Sequence, residues 1–315
     1  MNGDLRGRLV TLFGGDGFIG TYVAATLLAR GARLRIASRN PSRAHRLRPL
    51  ANLGQMQAVR CDITREPDIA AALSGAQAVV NLVGAFAGNL DLLMGHAPGT
   101  MARLSAAAGV DRFVHVSATA ADPQGATAYA RAKALGERLV REHQPRAVVV
   151  RPTIVFGRDD GFITMFARLI RRFRVLPVFG PDAPLQLVYV DDVAEAIATA
   201  LEHPERHGGE IFELGGPDTL TMLELNERIA RAQRRRRTFV PMPDAASGLF
   251  ASLPGSPMSR DQWLMLKAGT RVSGSWPGFA ELGITPRPLD LFLDEWMVPY
   301  RRHGRFATKN PDYKR

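Results

Sequence analysis

Short β-branched runs alternate with longer helical patterns through the first half of the chain. Strands are predicted at residues 9–13, 34–37, 57–60, 78–83, 112–116 and 147–150. Helices are predicted at 18–30, where Val23, Leu27 and Leu28 share a face, at 67–73, opened by a proline whose fixed φ suits a helix start, and at about 126–142. Residues 78–83 carry hardly a polar side chain, as expected of a central strand covered on both faces. Strand alternating with helix implies an α/β fold with a doubly wound parallel sheet and right-handed crossovers. Beyond Arg151 the regularity breaks, with Pro177, Gly180, Pro181 and Pro184 close together. Residues 185–190 read as one further strand and 192–202 as a helix. The expected organisation is a larger domain over 1–155, with 186–204 returning to it. A smaller C-terminal domain takes 156–185 and 205–303, and 304–315 is a flexible tail.

The composition fits this picture: of 315 residues, 46% are apolar, 23% charged and 7% aromatic, ample for a sizeable core. It excludes a disordered or disulfide-rich class, since Cys61 is the single thiol. The polar start and the lack of an 18-residue apolar run give the expectation of a soluble, cytoplasmic protein without a transmembrane segment. Basic residues number 41 against 30 acidic, a net charge of +11, and the only lysines are Lys133, Lys267, Lys309 and Lys314. A compositional bias toward Arg and Ala is the simpler reading. The sharper one is attraction to an anionic surface, with lipid or a protein partner ahead of nucleic acid, for which no module signature is present.

Gly14-Gly15-Asp16-Gly17-Phe18-Ile19-Gly20 follows the first strand and opens the first helix. Gly14 permits the tight turn, Gly17 lets the backbone approach a pyrophosphate, and Gly20 lets helix and strand pack closely. Phe18 and Ile19 complete the expected cradle. After the second strand, Ser38-Arg39-Asn40-Pro41-Ser42-Arg43 contains no carboxylate to take a ribose 2′-hydroxyl. Arg39 stands where a 2′-phosphate needs a cation, so NADP(H) is expected over NAD(H). Arg43 is either a second clamp or the exposed face of the next helix, the latter preferred. Asp62, with Ile63 beside it, suits the adenine edge or an Asx turn. Val83 and Gly84 leave room for the cofactor along the sheet edge.

Tyr129 and Lys133 lie one helical turn apart, so phenol and ammonium share a face. A nearby lysine lowers a phenol's pKa and can grip the nicotinamide ribose, which makes the pair a candidate for carbonyl chemistry. The glycine turn, this pair, Arg151-Pro152-Thr153-Ile154-Val155-Phe156-Gly157 and Val188-Tyr189-Val190-Asp191-Asp192-Val193 occur in the order of the extended and atypical short-chain dehydrogenase/reductases, which the chain resembles over residues 8–300. That resemblance implies a Rossmann-type NAD(P) site with Pro152 and Ile154 as further cofactor contacts. Arg39, the short 117–129 connection, Tyr129-Ala-Arg-Ala-Lys-Ala-Leu-Gly-Glu137 and Ser256-Pro-Met-Ser-Arg-Asp261 are similar to one branch, the accessory subunit of respiratory complex I and its bacterial relatives. The branch implies a tightly held NADPH with a structural role, complex I subunits as partners, and a peripheral place at the cytoplasmic face of the inner membrane. Active reductases and epimerases carry Ser or Thr where this chain has Ala118, flanked by Ser117 and Thr119, either of which could substitute. Tyr129 and Lys133 are therefore read as cofactor ligands ahead of catalysts. The alternative is an active NADP-dependent oxidoreductase, epimerase or dehydratase acting on a nucleotide sugar or isoprenoid-type carbonyl.

Residues 162–174 have helical apolar spacing with an arginine-rich opposite face, read as a helix on the core ahead of an interfacial one. Arg234–Arg237 reads as a solvated helix end, and 239–253 as a lining or docking segment. The seven histidines show no metal-ligand spacing, and Asp191-Asp192 reads as a cap, so no metal is assigned.

Overall fold

The computed structural model describes residues 4–245, 247–248 and 260–302. The expected tail at 304–315, residues 246 and 249–253 of the 239–253 segment, and 256–259 of the 256–261 segment lie outside the described residues. The chain divides into two units, whose elements are numbered together in chain order.

The first unit comprises Met1–Thr153, Val190–Gly215 and Val272–Pro286. Its strands are β1 (Leu9–Phe13), β2 (Arg33–Ser38), β3 (Met56–Arg60), β4 (Ala78–Asn81), β5 (Arg112–Val116), β6 (Val148–Pro152) and β11 (Ile211–Leu214). They form one seven-stranded sheet in the order β11-β6-β5-β4-β1-β2-β3, parallel throughout. Its helices are α1 (Phe18–Ala29), α2 (Glu66–Leu73), α3 (Ala97–Ala107), α4 (Ala128–His143), α6 (Val190–Glu202) and the short α7 (Pro204–His207). Every residue of β4 and β5 is buried, as apolar central strands require. Phe13, Val79, Met101, Phe113 and Val140 are among the side chains that fill one shared core. Strand order reverses between β1 and β4, which opens a crevice at the strands' C-terminal ends.

Several local expectations change for physical reasons. β4 stops at Asn81 rather than 83, because Asn81 Oδ1 accepts from Val83 N at 3.1 Å and turns the chain. The pattern gave no sign of α3 or of the wide helical turn Asp91–His96 before it. They pack on α4 through small residues: a Cβ on Gly136 would lie 2.1 Å from the Met94 carbonyl oxygen. Residues 205–215 and 272–286, expected in the smaller domain, belong to the first unit. Glu213 of β11 holds the latter segment, donating its amide to Pro277 O (2.9 Å) and accepting from Ser273 N (2.5 Å). Arg151 completes this corner with two bonds to Glu137 (2.9 and 2.6 Å) and a stack over Trp276. Asp191 and Asp192 lie inside the first turn of α6, where negative charge suits the helix dipole, rather than capping it from outside.

The second unit comprises Ile154–Tyr189, Gly216–Arg271 and Arg287–Arg315. Among the described residues it holds three two-stranded sheets: β7 (Val155–Phe156) with β10 (Val188–Tyr189), β9 (Pro184–Leu185) with β12 (Leu220–Thr221), and β8 (Val175–Phe179) with β13 (Thr238–Met242). The single strand expected at 185–190 is thus two short ones in different sheets. α5 (Gly161–Arg172) is capped by Asp160, whose Oδ1 accepts from Ile163 N at 2.6 Å, and buries Ile163, Ala167 and Ile170. Its other face is not arginine alone, since Met165 and Leu169 are exposed there. α8 (Met222–Ala232) starts with a reciprocal Thr221–Glu224 capping box.

Candidate functional site

The glycine turn sits in the crevice between β1 and β4. Gly14 has φ +78°, and a Cβ there would lie 3.2 Å from the backbone of Leu82. A Cβ on Gly20 would lie 2.4 Å from Gly14 O and 2.6 Å from Gly15 Cα, so α1 packs directly onto the turn. The first bond of α1 runs from Thr21 N to Gly17 O (3.0 Å), which places the amides of Phe18, Ile19 and Gly20 ahead of the helical ladder. That end has no side-chain cap and its first helical turn holds no acidic residue, while Asp16, just before it, turns its carboxylate to Ser38. Exposed backbone, orphan donors and a helix dipole make a cradle that fits a diphosphate.

The end of β2 meets this turn. Ser38 is buried, donates from Oγ to Asp16 Oδ2 (2.8 Å) and accepts from Asn40 N (3.1 Å). Arg43 Nε faces the same Asp16 oxygen at 3.6 Å. Arg46, which no motif singled out, donates from Nη2 to Asp16 O (2.6 Å), Gly17 O (3.2 Å) and Thr21 Oγ1 (2.6 Å). It therefore holds the shape of the turn from the helical stretch Pro41–Leu50. Arg39 and Arg43 are exposed, so both guanidinium groups reach solvent beside the turn. Asp62 closes an Asx turn, accepting from Thr64 N (3.0 Å) and Thr64 Oγ1 (2.8 Å). Those bonds, with smaller contributions from Arg39 and Arg65, hold its carboxyl below the usual range. Ile63 is half-buried beside it.

On the other side of the crevice, α4 starts at Thr127, whose Oγ1 accepts from Ala130 N (3.2 Å). This start carries Tyr129 and Lys133 toward the ends of β4 and β5. Lys133 is buried, and its Nζ donates to Val116 O (3.0 Å) and more weakly to Val83 O (3.5 Å). Burial pushes the ammonium down to about 8, against the opposing pull of Glu137. Tyr129 lies half-buried in a near-parallel stack on Phe86, with centroids 5.1 Å apart. Its phenol moves opposite to the sequence expectation: burial pushes it up to about 12, and Lys133 is occupied by carbonyl groups. At neutral pH the group is a proton donor, not a base.

Ser117 N donates to Val150 O (2.7 Å), and Thr119 N to Pro152 O (3.2 Å), which fixes both beyond β5. Ser117 Oγ is buried without a hydrogen-bond partner among the described residues, whereas Thr119 is half-buried. His115 supports the floor. Asn81 Nδ2 donates to His115 Nδ1 (3.0 Å), in the amide orientation that lets Asn81 Oδ1 accept from Val83 N, so the ring proton lies on Nε2. Burial, aided by the Lys133 charge, pushes this imidazole down to about 3. Val83 and Gly84 leave open space at the strand edge, a Cβ on Gly84 meeting nothing within 4 Å. Pro152 ends β6 in the first unit. Ile154 opens the second, where its carbonyl accepts from Val188 N (3.0 Å). No group of three or more metal-ligating side chains occurs among the described residues.

Comparison with known proteins places this geometry. The model of the NAD dependent epimerase/dehydratase family matches residues 10–215. NADH dehydrogenase [ubiquinone] 1 alpha subcomplex subunit 9, mitochondrial, of Rattus norvegicus is 32% identical over 324 residues, covering 98% of this chain and 85% of that protein. Among solved structures, a nucleoside-diphosphate-sugar epimerase from Staphylococcus aureus aligns with a TM-score of 0.74 at 17% identity, over 90% of this chain and 99% of that one. The Thermus thermophilus UDP-glucose 4-epimerase complex with NAD gives 0.70 at 20% identity, over 94% and 99%. The two structures share its fold.

Proposed function

The chain belongs to the NAD dependent epimerase/dehydratase family, and on that premise we propose that it holds NADP(H) as a structural ligand and serves respiratory complex I as an accessory or assembly protein. Binding of a nicotinamide dinucleotide follows from the family, and the residues that would hold it are on the first unit. The Gly14–Gly20 turn, with Phe18 and Ile19 amides, would take the diphosphate. Ser38, Arg39 and Arg43 would take the adenosine ribose and its 2′-phosphate, Asp62 and Ile63 would border the adenine, and Val83, Gly84 and Pro152 would line the sheet edge. Tyr129 and Lys133 would hold the nicotinamide ribose, and Ile154 is carried only by the family resemblance. The cofactor, when bound, can supply hydride chemistry.

The observation that carries the complex I reading is the near full-length match to alpha subcomplex subunit 9. Three features support a ligand-holding role over catalysis. Ala118 removes the usual hydroxyl donor, Tyr129 is pushed up to about 12 by burial and so is not activated as a base, and Lys133 is bonded to backbone carbonyls. A peripheral location at an anionic membrane face agrees with the net charge of +11, and no described helix is long and apolar enough to cross a membrane. Affinity purification of the tagged chain from its native host is the test. Co-purification of complex I subunits is expected, and their complete absence contradicts the reading.

One observation favours a second reading, an active NADP-dependent reductase. The unpartnered Ser117 hydroxyl is a donor that a substrate carbonyl could satisfy. Tyr129-dependent turnover of a carbonyl substrate by the purified protein would move the conclusion to that class.

A further inference from the structure

The end of β2 lacks the carboxylate that commonly binds an adenosine ribose, yet the fold brings one there from another element. Asp16 projects from the glycine turn, its side chain 11% exposed, and its Oδ2 takes the Ser38 hydroxyl at 2.8 Å. Arg43 Nε lies 3.6 Å from the same oxygen. The backbone of Asp16 is held in turn by Arg46, through the 2.6 Å bond to its carbonyl. A negative group thus occupies the corner between diphosphate cradle and strand end, where the sequence pattern alone showed only arginines.

From this juxtaposition we propose that Asp16 is a specificity-determining residue that restrains the NADP(H) preference conferred by Arg39 and Arg43. The inference rests on the nicotinamide-dinucleotide reading above. Two effects act in the same direction. The carboxylate repels a 2′-phosphate placed beside Ser38, and it competes with that phosphate for the Arg43 guanidinium. A 2′-hydroxyl meets neither obstacle and can donate to the carboxylate, the role a β2 carboxylate plays in NAD sites. The chain should therefore bind both dinucleotides, with NADP(H) ahead by less than its arginines alone would give.

Asp16→Asn tests this, because it removes the charge while keeping the size and an oxygen that accepts from Ser38. The measurement is calorimetric titration of the full, nucleotide-stripped chain with NADPH and with NADH, after thermal melting has shown each variant folded. The expected result is a ratio of NADH to NADPH dissociation constants at least fivefold larger in Asp16→Asn than in wild type. Arg43→Gln provides the second arm: its loss of NADPH affinity should be larger when Asp16→Asn is already present, since the arginine is then free to serve the phosphate. A ratio within twofold of wild type, or an Arg43→Gln effect independent of residue 16, overturns the role of Asp16 alone. Wild-type chain that binds neither dinucleotide overturns both this role and the reading beneath it.

Discussion

His115 is a buried imidazole whose charged form has nowhere to go: Asn81 occupies Nδ1, and Lys133 stands near as a like charge. Its folded pKa of about 3 lies below the ordinary imidazole value of 6.5, so between these values the unfolded chain binds the proton and the folded chain does not. Stability therefore falls as the pH drops through that window. From pH 7 to pH 5 this group alone should remove about 2 kcal/mol. Denaturant unfolding of wild type and His115→Gln at the two pH values checks it: the wild-type loss should exceed the variant's by that amount, and equal losses would show that His115 is not held neutral. The same local physics explains what the sequence concealed. Tyr129 and Lys133 are legible as a pair from their spacing, yet spacing says nothing about burial, and burial sends the phenol up and the ammonium down.

The glycine turn shows how far an element can be read in advance. Its three spaced glycines, the strand before it and the helix after it are all legible, because each glycine answers a backbone requirement that sequence displays directly. Gly20→Ala would drive a Cβ against backbone atoms at 2.4 and 2.6 Å, which neither α1 nor the turn can absorb by side-chain motion. We expect a stability loss of about 1–3 kcal/mol together with loss of dinucleotide binding. A Cβ on Gly84 meets nothing within 4 Å, so Gly84→Ala should leave the melting temperature of the nucleotide-stripped chain unchanged and weaken binding only. Melting and calorimetry on both variants separate these outcomes, and an unperturbed Gly20→Ala protein would refute the packing described. Less legible were elements set by tertiary contact. α3 and the Asp91–His96 turn depend on small residues of α4, such as Gly136, that admit another backbone closely. Arg46 acts from the stretch after β2 by folding back on the turn. Long-range partnerships of this kind leave no periodic trace in the chain.

At the scale of the whole molecule, one unit is built around a parallel sheet with its cradle at the strand ends, and its last parts, Val190–Gly215 and Val272–Pro286, return late in the sequence. The late return, secured by Glu213 and Arg151, was only partly visible because residues 272–286 lack a regular pattern. The second unit presents exposed apolar side chains, Met165, Leu169 and Phe173, among arginines on and after α5, a surface suited to the partner and membrane contacts proposed. The function proposed above joins these features through a nucleotide that would stay in place as part of the fold. Purification of the full chain without added cofactor, followed by release and quantification of bound nucleotide and by challenge with isotopically labelled NADPH, tests this most directly. The account predicts about one NADP(H) per chain that does not exchange over hours. Chain recovered folded and free of nucleotide, or one whose label equilibrates within seconds, would contradict it.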